Sequence, residues 1–134
     1  MLEYTIEASR PNGEGGAAVS HGASVVLDTT LAGRPDAFNP VELLLAALAA
    51  CMLKGVERSA PMIRFQFRSA SVKLHAVRQD APPTLVSIDY ELKVDTDEPE
   101  RRLELLHSNV IKYGTISNTL AAAVPLTGTI RRAT

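Results

Sequence analysis

A single cysteine, Cys51, stands in the 134 residues of this chain. One thiol cannot close a bridge within its own chain, so a disulfide-stapled scaffold is excluded and a reducing compartment fits. Nor is there an excess of charge of either sign. Fourteen Lys and Arg face 15 Asp and Glu, for a formal charge of −1. So close a balance builds no broad field to gather phosphate backbones or anionic lipid, which argues against nucleic acid and membrane surfaces as partners. Long apolar runs are missing as well. The longest, from Leu43 to Leu53, falls well short of the roughly 18 residues that cross a bilayer. The opening MLEYTIEASR has no basic region leading into an apolar one, so no secretory signal is read there, and the expected setting is soluble and cytoplasmic. His21, His75 and His107 form no HxH or HxxxH pair, and no metal is expected. Gly13, Gly15 and Gly16 lack the strand-then-helix setting of a phosphate loop, so no nucleotide or other cofactor is expected. With no internal repeat or low-complexity tract, and enough length to bury a core unaided, the sequence reads as one domain, 1–134.

What is present is a chain whose hydrophobic period keeps changing. In LEYTIEA, residues 2–8, Leu2, Tyr4 and Ile6 alternate with Glu3 and Glu7, a strand pattern. PNGEGG, 11–16, is a turn, and two further short strands around Gly22 complete a β-meander over residues 1–30. Asn39 suits an N-cap, Pro40 the first helical position, and Glu42 the first turn, so a helix is predicted over 39–58 and ended by Ser59-Ala60-Pro61. This helix is apolar on every side between residues 43 and 53. It must therefore be enclosed by a sheet, another helix or a second subunit. A long antiparallel hairpin follows over 69–95, where Val72, Leu74 and Ala76, then Val86, Ile88, Tyr90, Leu92 and Val94, alternate with polar residues. Within 98–134 lie a helix carrying Leu103, Leu106 and Val110 with Gly114 as its C-cap, a short helix capped by Thr115 or Ser117, and a last strand, LTGTIRR. The fold class is α+β, in the order β-β-β-α-β-β-α-α-β.

Cys51 lies near the end of the apolar run of the central helix. Read on its own, a free cysteine there is either a small core hydrophobe or a reagent. Glu42 is likewise either a charge that suits a helix N-terminus or a site residue.

The run Asn39-Pro40-Val41-Glu42-Leu43-Leu44, the Ala-rich stretch into Cys51, the hairpin, and Lys112-Tyr113 followed by Ile116-Ser117 together resemble the OsmC/Ohr family of osmotically inducible and organic hydroperoxide resistance proteins. The resemblance implies antiparallel sheets around a central buried helix, in an interlocked homodimer whose sheets are completed between subunits. It also implies that Cys51 attacks a peroxide and becomes a sulfenic acid. The second cysteine of the family would follow the Lys-Tyr pair, where this chain has Gly114. The glutamate that directly follows Asn-Pro in the hydroperoxide-resistance members is here Val41, with Glu42 one place later. Along one helix, Glu42 and Cys51 stand roughly 13 Å apart on nearly opposite faces, so they could share a site only across a dimer. Arg10 and Arg34 are the candidates for the family's arginine, and the nearest alignment puts Glu14 at its place. The candidate catalytic set is Cys51, Glu42 and Arg10. Two functions of different class follow. One is a one-cysteine, thiol-dependent reductase of organic hydroperoxides, regenerated by an external thiol. The other is a catalytically inactive dimer that binds a small apolar ligand.

Overall fold

A computed structural model describes residues 1–133 of the chain. Its elements are β1 (Glu7–Asn12), β2 (Gly15–Ser20), β3 (Ala23–Leu27), α1 (Pro40–Met62), β4 (Ser69–Asp80), β5 (Pro83–Asp95), α2 (Glu100–Lys112), α3 (Thr115–Ala121) and β6 (Leu126–Arg132). This is the expected order. The chain falls into two compact units, Met1–Leu44 and Leu45–Thr134.

The first unit is an antiparallel meander in the order β1-β2-β3, paired from Glu7↔Val19 to Asn12↔Gly15 and from Gly16↔Leu27 to Ser20↔Ala23. Its first strand starts later than the alternation of Leu2, Tyr4 and Ile6 suggested. Residues 1–6 belong to no strand, and those three side chains are exposed. Alternation specifies a face for a strand but supplies no partner to cover it. The turn is tighter than PNGEGG implied: only Gly13 and Glu14 lie outside the strands, and the Glu14 N–H donates to Asn12 Oδ1 at 2.9 Å. Gly15 sits at φ +146°, where a Cβ would meet Arg34 Nη1 at 2.5 Å, so the glycine makes room for a guanidinium.

In the second unit β4 and β5 form the expected antiparallel hairpin, in register from Ser69↔Asp95 to Asp80↔Pro83. The third strand departs from the antiparallel expectation. β6 lies parallel to β5, from Ile88↔Leu126 to Val94↔Arg132, because α2 and α3 form the crossover that a parallel pair requires. Leu48, Met52 and Val56 of α1, Ile88, Tyr90, Leu92 and Val94 of β5, Leu103, Leu106 and Val110 of α2, and Ile130 of β6 share one core. Close approach of the two helices shows at Gly55, where a Cβ would stand 3.2 Å from Val110 Cγ1.

Two helix ends differ from the sequence reading. α1 runs through Ser59-Ala60-Pro61 to Met62 rather than stopping near 58. Ser59 and Ala60 are buried, so core packing holds the last turn although Pro61 forfeits one backbone bond. Gly114 does not cap α2. The C-cap is Tyr113, and Gly114, at φ −83°, is the N-cap of α3.

Candidate active site

The start of α1 is fixed by two reciprocal hydrogen bonds. The Asn39 N–H donates to Glu42 Oε1 at 3.0 Å, and the Glu42 N–H donates to Asn39 Oδ1 at 2.9 Å. Two amides that no helical carbonyl can reach are thereby satisfied, and the Asn-Pro-x-Glu sequence is a capping box. The Glu42 carboxylate, a candidate for the site, is engaged in this cap, with its side chain at the surface.

Farther along α1, Leu48, Met52, Gly55, Val56, Ser59 and Ala60 make the buried stripe. Ala47, Ala50 and Lys54 are exposed, and Cys51, between the two stripes, is half-buried. An all-round apolar helix thus covers one face within this chain and leaves part of the other open. The thiol belongs to neither the sealed core nor the fully solvated surface.

Of the two candidate arginines, Arg10 lies on β1 with an exposed side chain. Arg34 is held instead. Its Nε and Nη2 donate to the two carboxylate oxygens of Asp36 at 2.9 and 2.8 Å, and its Nη1 donates to the Glu14 carbonyl at 3.4 Å. The loop before it is organised by Asp28, whose carboxylate accepts from the Arg34 N–H and from the N–H and hydroxyl of Thr30. Those bonds, the one from the Arg34 N–H foremost, hold the Asp28 carboxyl below its usual range. Ser9, Pro11, Gly15, Gly16 and Arg34 help to line an open cavity of about 580 Å³ in this unit. Arg10 and Glu42 belong to the first unit and Cys51 to the second.

Gly114, at the place where the resemblance puts a second cysteine, is buried. A Cβ there would stand 3.0 Å from Ser117 Oγ and 3.0 Å from the Val110 carbonyl oxygen. Ser117 is itself buried, and its hydroxyl has no hydrogen-bond partner among the described residues.

A pair that the sequence did not disclose joins β5 to α2. Tyr90 Oη and His107 Nε2 are 2.5 Å apart, and the rings meet edge to face with centroids at 5.7 Å. Burial pushes the Tyr90 phenol up to about 12 and pushes the His107 imidazole below its ordinary value. Tyr90 had looked like one more inward residue of a strand. Its hydroxyl partner comes from an element whose position no local pattern reveals. Among the described residues no group of three or more His, Cys, Asp or Glu could hold a metal ion, and no helix is long and apolar enough to cross a membrane.

Residues 33–128 match the family model described as OsmC-like protein. No curated protein matches the chain. Among solved structures, an OsmC-like protein from Mycoplasma pneumoniae superposes with a TM-score of 0.89 at 21% identity, over 99% of each chain. An organic hydroperoxide resistance protein OsmC from Legionella pneumophila gives 0.72 at 18% identity, over 97% of this chain and 98% of that one. An organic hydroperoxide resistance protein from Elizabethkingia anophelis, with thiocyanate bound, gives 0.75 at 16% identity, over 98% and 99%. At these identities the likeness establishes the fold.

Proposed function

Because this chain belongs to the family of OsmC-like proteins, we propose that it serves oxidative-stress defence as a one-cysteine, thiol-dependent peroxidase that reduces organic hydroperoxides at Cys51. The observation that carries the proposal is the place of Cys51. It is the sole thiol of the chain, lies inside the matched segment, and is half-buried beside an apolar stripe of α1. Sulfur there can meet a peroxide whose organic part prefers apolar surroundings.

In the first step the Cys51 thiolate attacks the outer oxygen of ROOH. The O–O bond breaks, ROH leaves after taking up a proton, and Cys51 becomes a sulfenic acid. With no second thiol in the chain, an external monothiol condenses with it to a mixed disulfide and water. A second monothiol then returns Cys51 to the thiol and departs as a disulfide. Arg10 and Glu42 enter the proposal as charged contributors to turnover, tested singly by Arg10→Gln and Glu42→Gln. The working unit is inferred to be a cytoplasmic homodimer. Exposed Leu2, Tyr4, Ile6, Val25 and Val26 in the first unit support an apolar interface above about 2,000 Å². A folded monomer sedimenting at micromolar concentration would contradict that assembly.

The test is intact mass after one equivalent of an organic hydroperoxide. A gain of one oxygen, converted by added monothiol to a mixed disulfide and absent in Cys51→Ser, is expected. An unmodified Cys51 under a large excess of peroxide refutes the proposal. That result would favour the second reading, an inactive dimer that binds a small apolar ligand.

A further inference from the structure

If Cys51 cycles through a sulfenic acid, its electrons come from thiols outside the chain, and the residues beside it decide which thiols. On α1, Lys54 and Arg58 follow Cys51 by three and seven positions. At 3.6 residues per turn they lie about 60° and about 20° round the helix from it, whereas Glu57, the only acid of α1 beyond Glu42, lies about 120° away. Both cations are exposed, and neither forms an ion pair among the described residues.

A second observation fixes where the guanidinium goes. Gly55 is one turn beyond Cys51, and the position its Cβ would take is 3.5 Å from Arg58 Nη2. Helical side chains lean towards the N-terminus, and here the missing side chain lets Arg58 fold back along its own helix. Cβ positions one turn apart are separated by about 5–6 Å. The guanidinium of Arg58 thus lies against Gly55, one turn beyond Cys51 on α1.

We propose that Lys54 and Arg58 form a reductant subsite that selects anionic thiols, meaning small monothiols that carry a carboxylate. The proposal rests on the reading of Cys51 as the reacting group. In the resolving step Cys51–SOH and R–SH give Cys51–S–S–R and water, and a second R–SH gives Cys51–SH and R–S–S–R. The carboxylate of R pairs with the planar fork of Arg58, which suits two parallel N–H···O bonds, and Lys54 adds a point charge. Cationic thiols are disfavoured by the same two residues.

The experiment dispenses with peroxide. Cys51 of the full chain is first converted to its mixed disulfide with 2-thiopyridine by 2,2′-dithiodipyridine, which releases one thiopyridone. It is then chased with 3-mercaptopropionate, 2-mercaptoethanol or cysteamine: RS⁻ attacks the Cys51 sulfur and thiopyridone leaves, which is followed by its absorbance. Comparing proteins for each thiol cancels the thiols' own reactivities. At low ionic strength the ratio of anionic to cationic rates should fall about 5- to 20-fold from wild type to Lys54→Gln/Arg58→Gln, converging near about 1 M salt. Arg58→Lys should restore part of the ratio, and 2-mercaptoethanol, whose attacking thiolate carries a single negative charge, should change by an amount between the other two. Equal ratios in wild type and double variant overturn the proposal, as does failure of the folded mixed disulfide to react with any thiol. A charge preference that persists in a protein whose Cys51 resists hydroperoxide supports the subsite while refuting the peroxidase reading.

Discussion

Replacing Leu48 by Ala should destabilise the protein by about 3–4 kcal/mol. Leu48 is 0% exposed and belongs to the core shared by α1, α2 and the second sheet. The substitution removes three carbons, worth about 2.4 kcal/mol at ~0.8 kcal/mol per buried methylene. If about 40 Å³ stays unfilled after relaxation, a cavity cost of ~24 cal/mol per Å³ adds about 1 kcal/mol. Leu105→Ala provides the contrast. It deletes the same atoms from a side chain that is 42% exposed on α2, and about 1 kcal/mol or less is expected there. Urea unfolding at one fixed protein concentration is the assay, because association shifts apparent stability by mass action. With a slope of about 2 kcal/mol/M, Leu48→Ala should lower the midpoint by about 1.5–2 M without changing the slope. A loss below about 0.5 kcal/mol would show that this face of α1 does not hold the core, and the account of α1 given above would fall with it.

The depressed His107 gives a sign for acid destabilisation. The unfolded state takes up a proton near pH 6.5 and the folded state resists it, so the stability is fully present above about 6.5 and is lost as pH falls below that value. Across the same window His107→Gln should flatten the unfolding midpoint, and an unchanged slope would clear His107 of the effect. At the helix start, Asn39→Ala should cost about 1 kcal/mol through loss of the cap. Glu42→Gln keeps an acceptor for the Asn39 N–H and should change the denaturation midpoint little. Any large fall in peroxide reactivity of that variant would then report a chemical role for the carboxylate. In Gly128→Ala the new Cβ would run into the Tyr90 ring on the paired strand, with a cost of about 1–3 kcal/mol or more by thermal melt. Wild-type stability in that variant would mean that the ring can move aside.

The order of elements could be read from the sequence because each carries its own period or punctuation: Asn39-Pro40 opens α1, and strict alternation marks β5. Neighbour relations were less legible. LTGTIRR reads as a strand, but nothing within it says that it runs parallel to β5, since that depends on where two intervening helices return the chain. Pro61 looked like a stop, yet burial of Ser59 and Ala60 outweighs the bond it forfeits. In the candidate site Cys51 stood out as the sole cysteine of the chain, and the motif around it singled it out. Its half-exposure did not, because an all-apolar stretch hides which face the core takes. The spacing of Asn39 and Glu42 carried the capping-box signal, although a first-turn carboxylate alone does not disclose the return bond from Asn39. Arg58 is an ordinary surface cation in the sequence, and only the empty place at Gly55 shows that its guanidinium folds back along α1.

The crowding at Gly114 bears on how a mutation could supply this chain with a second thiol. A lone Gly114→Cys change would place its Cβ against the Ser117 hydroxyl and the Val110 carbonyl, and the carbonyl belongs to α2 and cannot easily give way. The Ser117 hydroxyl, which has no hydrogen-bond partner among the described residues, would have to turn aside, and the end of α2 would have to shift by a few tenths of an ångström. A second thiol at this position therefore carries a packing cost at the junction of α2 and α3, which the gain in redox turnover would have to outweigh.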